Sequence, residues 1–148
     1  MNLLGLMEVS GSALQAERIR AEVVAANMAN AETTRTADGG PYRRQEVVFS
    51  SEAPPNAFAS GLSLASGQAD PPIGGVRVSA VVSDTSAPLR RYDPGNPDAD
   101  KNGYVAYPDI NPLTEMVDLM GATRAYGLNS SAVQAEKSMV STALDILK

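Results

Sequence analysis

The 148-residue sequence contains no cysteine, no histidine and no tryptophan, and only two phenylalanines. Without a thiol or an imidazole, cysteine nucleophiles, disulfides, histidine bases and the usual zinc centres are excluded. No P-loop, dinucleotide fingerprint or nucleophile elbow can be read. Lys101, Lys137 and Lys148 have no serine three residues before them, which removes a Ser-x-x-Lys pair as well. No cofactor is therefore expected. The basic residues are scattered and the formal charge is -5, which gives no footprint for nucleic acid. No apolar run is long enough for direct membrane insertion. Residues 1–8 lack a basic leader and Glu8 interrupts their apolar stretch, so no cleavable signal peptide is expected.

Large apolar side chains are also scarce. Although 43% of residues are hydrophobic, 22 of the 148 are alanine, so the core must be thin and long helices touching along narrow seams suit the composition better than a globule. The last third supplies such a helix. Asn111 is a suitable N-cap, Pro112 suits the first helical position, and Glu115 and Asp118 place negative charge near the positive end of the dipole. No proline follows. A seam alternating three and four runs through Met116, Leu119, Thr123, Tyr126, Ser130, Val133, Lys137, Val140, Leu144 and Leu147. Gly121 and Gly127 weaken this helix by about 1 kcal/mol each and are tolerable where a neighbouring backbone comes close. Another helix must cover the seam.

That partner is read at the other end of the chain. Leu6, Val9, Ala13, Ala16, Ile19, Val23, Ala26 and Asn30 recur every three or four residues, with the charges largely off the seam. Asn30, which tolerates a left-handed turn, marks the end of this helix. Asn27 sits one turn earlier, either fixing register as a polar residue beside a seam or joining Asn30 in capping the end.

The middle is poorer. Tyr42–Ser50 is a short strand candidate, and Val76–Val82 alternates like a strand, with Leu89–Tyr92 and Gly103–Tyr107 expected to pair with it in one small antiparallel sheet. Between them residues 51–75 are mostly Ala, Ser, Gly and Pro and read as a flexible connection. Asp98, Asp100, Asn102, Gly103 and Asp109 follow the formula of a calcium loop, but Pro94, Pro97 and Pro108 forbid the flanking helices, and a turn between two strands explains the same residues more cheaply. A carboxylate hydrolase on Asp93, Asp98 and Asp100 is the weakest functional reading, because these aspartates lie in a turn rather than a pocket. The fold expected is mainly α with a small β-rich middle: the terminal helices paired as an elongated coiled coil, with a loop and hairpin region beside them.

Three stretches resemble one family. Ala26-Asn27-Met28-Ala29-Asn30-Ala31-Glu32-Thr33 is similar to the N-terminal signature of bacterial flagellar basal-body rod and hook proteins. Asn111-Pro112, Glu115-Met116-Val117-Asp118-Leu119, Arg124-Ala125-Tyr126, Asn129 and Lys137-Ser138-Met139 resemble the C-terminal helix of that family, and Tyr92–Pro97 with Lys101–Val105 resembles its proximal-rod members. Two positions depart: Met28 stands where leucine is common, and Gly127 where an acidic residue is common.

The resemblance implies a structural subunit, not an enzyme: residues 1–33 and 111–148 form an inner helical domain, residues 34–110 an outer region, and copies pack helically around a channel as a drive shaft. It implies as partners further copies, other rod subunits, adaptor proteins on the side of the membrane ring and export gate, and a type III export apparatus that cleaves no leader. The residues expected to carry assembly are Leu6, Val9, Ile19, Val23, Asn27, Asn30, Met116, Leu119, Arg124, Tyr126, Asn129, Val133, Val140 and Leu144. An exported coiled-coil adaptor with a single partner is the competing reading; it would stop at a closed complex, whereas a rod subunit needs two different surfaces for head-to-tail growth.

Overall fold

The structure is a computed structural model that describes residues 3–51 and 74–146. The elements run α1 (Leu3–Ala29), β1 (Gln45–Ser51), β2 (Val76–Ser83), β3 (Leu89–Tyr92), β4 (Tyr104–Tyr107) and α2 (Pro112–Ile146). The start of α2 follows the chemistry read from the sequence. Asn111 Oδ1 accepts the Leu113 N–H at 3.0 Å, its carbonyl accepts the Glu115 N–H at 3.1 Å, and Pro112 occupies the first turn. The end of α1 is closed by Asn30 differently from the expectation. Its amide donates to the Ala26 carbonyl at 2.9 Å and its Oδ1 accepts from Thr33 at 3.1 Å, and no non-glycine among the described residues has a positive φ. The side chain, not a left-handed backbone, satisfies the helix end. The expected connection over residues 51–75 lies almost wholly outside the described residues.

The chain divides into two compact units. One holds α1 as far as Arg18, the end of β1, β2 as far as Ser79, and α2 from Thr123; the other holds Ile19–Val48 and Ala80–Ala122. In the first, Ser10 Oγ donates to Glu136 Oε1 at 3.4 Å, and the Val76 N–H donates to Ser12 Oγ at 3.0 Å. In the second, Arg20 lies 3.7 Å from Asp118 and Asn27 donates to Glu115. Within each unit, then, a part of α1 lies against a part of α2, as the two seams require.

The faces in contact are only partly the ones the apolar pattern indicated: Ala16 of the expected α1 seam is buried and Leu119, Val133 and Val140 of the α2 seam are half-buried, while other buried positions lie one residue away. The buried residues of α1 are Ser10, Ala16, Val24 and Asn27, and those of α2 are Glu115, Ala122 and Glu136. On α2 the expected Met116, Thr123 and Lys137 give way to the residues just before them, a turn of about 100° around the helix. Polar groups turn inward where they can satisfy one another, and alanines let the helices approach.

The strands form two ribbons rather than one sheet. β1 pairs with β2, and β3 pairs antiparallel with β4 in the register Leu89↔Tyr107 to Tyr92↔Tyr104. The expected single sheet of β2, β3 and β4 is therefore corrected. Val105, Tyr107 and Ile110 are buried, and the Arg91 guanidinium stacks 3.8 Å from the centroid of the Tyr107 ring. The hairpin closes on Gly103, whose φ of 79° favours glycine and whose missing Cβ would lie 2.8 Å from Tyr92 Cε2.

Candidate functional site

In the second unit the Asn27 side chain is fully buried and makes every hydrogen bond it can. Its Nδ2 donates to the Gln45 carbonyl at 2.8 Å and to Glu115 Oε2 at 3.0 Å; its Oδ1 accepts the Gln45 N–H at 2.9 Å and the Tyr42 hydroxyl at 3.2 Å. A side-chain amide thus imitates a neighbouring strand for the first residue of β1 and ties it to the first turn of α2. Of the two roles left open for Asn27, the geometry is that of a register pin, because a polar group placed so would lose its four hydrogen bonds if α1 slid by one residue and its bond to Glu115 if α2 did.

Glu115 completes the cluster. Its Oε1 accepts from Arg44 Nε at 2.6 Å, and Arg44 also reaches Glu46 and, at 3.7 Å, Asp118. The hydrogen bond to Glu115 raises the Arg44 guanidinium above its ordinary value, so it stays charged throughout. Burial, with the Glu115 charge behind it, pushes the Tyr42 phenol upward and keeps its proton on. The buried carboxylate of Glu115 therefore has a charged partner and two hydrogen bonds, which a group in that position needs. In the first unit the counterpart is less complete: Glu136 is buried, and its Oε2 has no hydrogen-bond partner among the described residues.

Three aspartates in and beside the calcium-like loop fasten it to itself and to its surroundings. Asp93 Oδ2 accepts from Tyr107, Asp98 Oδ2 from Thr34, and Asp100 Oδ1 from the N–H groups of Asn102 and Tyr104, while Asp100 Oδ2 meets Arg90 at 2.9 Å. Those two N–H groups hold the Asp100 carboxyl below the usual range. Among the described residues no group of three or more His, Cys, Asp or Glu is placed to hold a metal.

The apolar residues that leave the helix contacts form the second feature of the site. Leu113, Met116, Val117, Met120, Tyr126, Leu128, Met139, Leu144 and Ile146 are all exposed on α2, with Leu128 and Ile146 at 67% and 80%. Of the residues singled out from the sequence, Asn27 is buried; Leu6, Val9, Ile19, Val23, Asn30, Leu119, Asn129, Val133 and Val140 are half-buried; Met116, Arg124, Tyr126 and Leu144 are exposed. Asn129 spends its amide within its own helix, on the Ala125 carbonyl at 2.9 Å. Sequence reasoning missed Tyr42 and Arg44, and took Glu115 only as a partner of the helix dipole. It also did not read Leu113, Val117, Met120, Leu128 and Met139 as a second apolar stripe, although their separations of 4, 3, 8 and 11 are sums of threes and fours. Gly121 and Gly127 are open: a Cβ on either would meet nothing within 4 Å in this chain.

Comparison with known proteins places these features. Residues 7–35 match the family model described as flagella basal body rod protein, and residues 101–146 match the one described as flagellar basal body rod FlgEFG protein C-terminal. The chain is similar to the flagellar basal-body rod protein FlgC of Borreliella burgdorferi, 41% identical with 100% of this chain and 99% of the relative covered. It is also similar to the FlgC proteins of Salmonella typhimurium, 40% identical over 95% and 94%, and of Bacillus subtilis, 41% identical over 96% of each.

Proposed function

The chain belongs to the flagellar basal-body rod protein family, most like FlgC, and from that membership we propose how its surfaces build the rod. Its function is that of a structural subunit of the rod, assembling with other flagellar rod subunits in the basal body. The finer reading is a proximal-rod subunit that polymerises helically around the export channel and passes torque. In it residues 1–33 and 111–148 form the inner helical domain and residues 34–110 the outer region. Adaptors on the side of the membrane ring and export gate, and a type III export apparatus, are its further partners. Among the described residues no helix is long and apolar enough to cross a membrane.

The observation that carries this reading is the row of large apolar side chains left in solvent on α2 while the inward face is held by polar pins. A chain that buried its best apolar residues against itself would have less to offer a neighbour; this one keeps Leu113, Val117, Met120, Leu128 and Met139 outward. The half-buried Leu6, Val9, Ile19 and Val23 of α1 supply the remaining helical contact, with the half-buried Leu119, Val133 and Val140 of α2. Gly121 and Gly127 leave the helix surface low where another backbone can approach. Substituting Met120 and Leu128 together with glutamate tests the proposal: the isolated chain should keep its helix content, and the chain should be missing from purified basal bodies. Normal incorporation of the double variant would overturn the assigned face.

A further inference from the structure

The hairpin β3–β4 carries a free strand edge whose polar groups can be identified one by one. Asp93 N–H donates to the Gly103 carbonyl at 2.9 Å, so in this register the hydrogen-bonded pairs are Asp93 with Gly103, Arg91 with Val105 and Leu89 with Tyr107. The alternate residues then aim their N–H and C=O away from the ladder. On β4 the Tyr104 groups are already taken: its N–H donates to Asp100 Oδ1 at 3.0 Å and its carbonyl accepts the Asp100 N–H at 2.8 Å, which confirms the phase. On β3 the corresponding groups belong to Arg90 and Tyr92, where no described residue is bonded to them. All four residues of β3 are exposed, Tyr92 at 64%.

We propose that the outer edge of β3 accepts an extended, carboxylate-bearing segment of a neighbouring rod subunit as an added strand, its backbone pairing with Arg90 and Tyr92 and its acidic side chains meeting Arg91. The inference rests on the rod assignment and names one contact within it. Strand addition draws affinity from main-chain hydrogen bonds and specificity from the side chains beside the edge. Those side chains on β3 are Leu89, two arginines and one tyrosine, and arginine and tyrosine are residue types that dominate binding energy at interfaces. Arg90 is matched by Asp100 at 2.9 Å, whereas Arg91 stacks on Tyr107 and has no carboxylate paired to it among the described residues. The same charges decide against the simplest alternative. Antiparallel pairing of β3 with β3 of a second copy centred on either arginine would set that arginine against its own kind, a like-charge arrangement that edge strands use to prevent self-association.

Amide hydrogen exchange at residue resolution, on the isolated chain and on purified basal bodies containing it, reads the edge directly. In the isolated chain the Arg90 and Tyr92 amides exchange freely and the Arg91 amide is protected by the ladder; in basal bodies Arg90 and Tyr92 slow by roughly tenfold or more. A pair of variants asks the same of function. Proline at position 90 removes only an outward N–H, which an edge strand tolerates, so Arg90→Pro should melt like Arg90→Ala but enter basal bodies far less well. Arg91→Glu should lower incorporation likewise. If Arg90 and Tyr92 exchange as fast in basal bodies as in the isolated chain, strand addition is wrong while the rod assignment stands. If the isolated chain dimerises and Arg90→Pro abolishes the dimer, the edge serves a second copy and the acidic partner is wrong. Absence of the unaltered chain from basal bodies would overturn both readings.

Discussion

Replacing Asn27 with alanine strands several groups at once. The Gln45 N–H and C=O lose their partner, and Glu115 keeps only Arg44. Leaving buried polar groups unpaired costs about 1–3 kcal/mol per group, so Asn27→Ala should destabilise the isolated chain by about 3 kcal/mol, measured as a drop in the urea midpoint of its helical signal. A second residue sets an acid limit on the hairpin. Asp100 titrates below its ordinary value of 3.8 because the N–H groups of Tyr104 and Asn102 bond the charged carboxylate. A depressed carboxyl contributes stability that is full above the unfolded value and is lost as pH falls through the folded one. The Asn102 and Tyr104 amides should accordingly lose exchange protection as the solution is acidified below about pH 4, before the helices respond, and the variant Asp100→Asn should remove that pH dependence.

The helices show what can be read from sequence at the scale of an element. Asn111, Pro112 and the absence of later prolines fixed the start and length of α2, because caps and breakers act on the local backbone alone. The strand segments were legible for the same reason, while their pairing was not: Leu89–Tyr92 and Val76–Val82 both read as strands, and nothing in either says that β2 joins β1 and leaves β3 to β4. The helix faces were legible at Ala16, Val133 and Val140 but misread by one residue elsewhere, because hydrophobic periodicity assumes that the apolar side of a helix faces its own chain. Here Glu115 and Glu136 face inward while Met116, Leu128 and Met139 face out, and only partners distant in sequence, such as Arg44 and Ser10, make the inward acids tolerable. The calcium-like loop was read correctly as a turn between strands, since its prolines exclude helices locally. Gly121 carries the prediction that belongs at this scale. With open space around its missing Cβ, Gly121→Ala should stabilise the helix of the isolated chain by about 1 kcal/mol, seen as a higher thermal midpoint. If a neighbour's backbone approaches there in the rod, the same variant should incorporate poorly.

For the whole molecule, a rod subunit is an incomplete object whose outer faces become interior only in the assembly. The polar pins at Asn27 and Glu115 hold the two helices together, while the apolar stripe on α2 is exposed, a division of labour that suits a structural protein. The absence of cysteine offers a direct test. Single cysteines introduced at Leu113, Met120, Leu128 and Met139 can be labelled with a maleimide in the isolated chain and in purified basal bodies without background from the chain itself. The account predicts rapid labelling of all four sites in the isolated chain and strong protection in basal bodies, with a cysteine on the hydrophilic side of α2, at Gln134, labelled more readily than the four. Equal labelling of the four sites before and after assembly would contradict it.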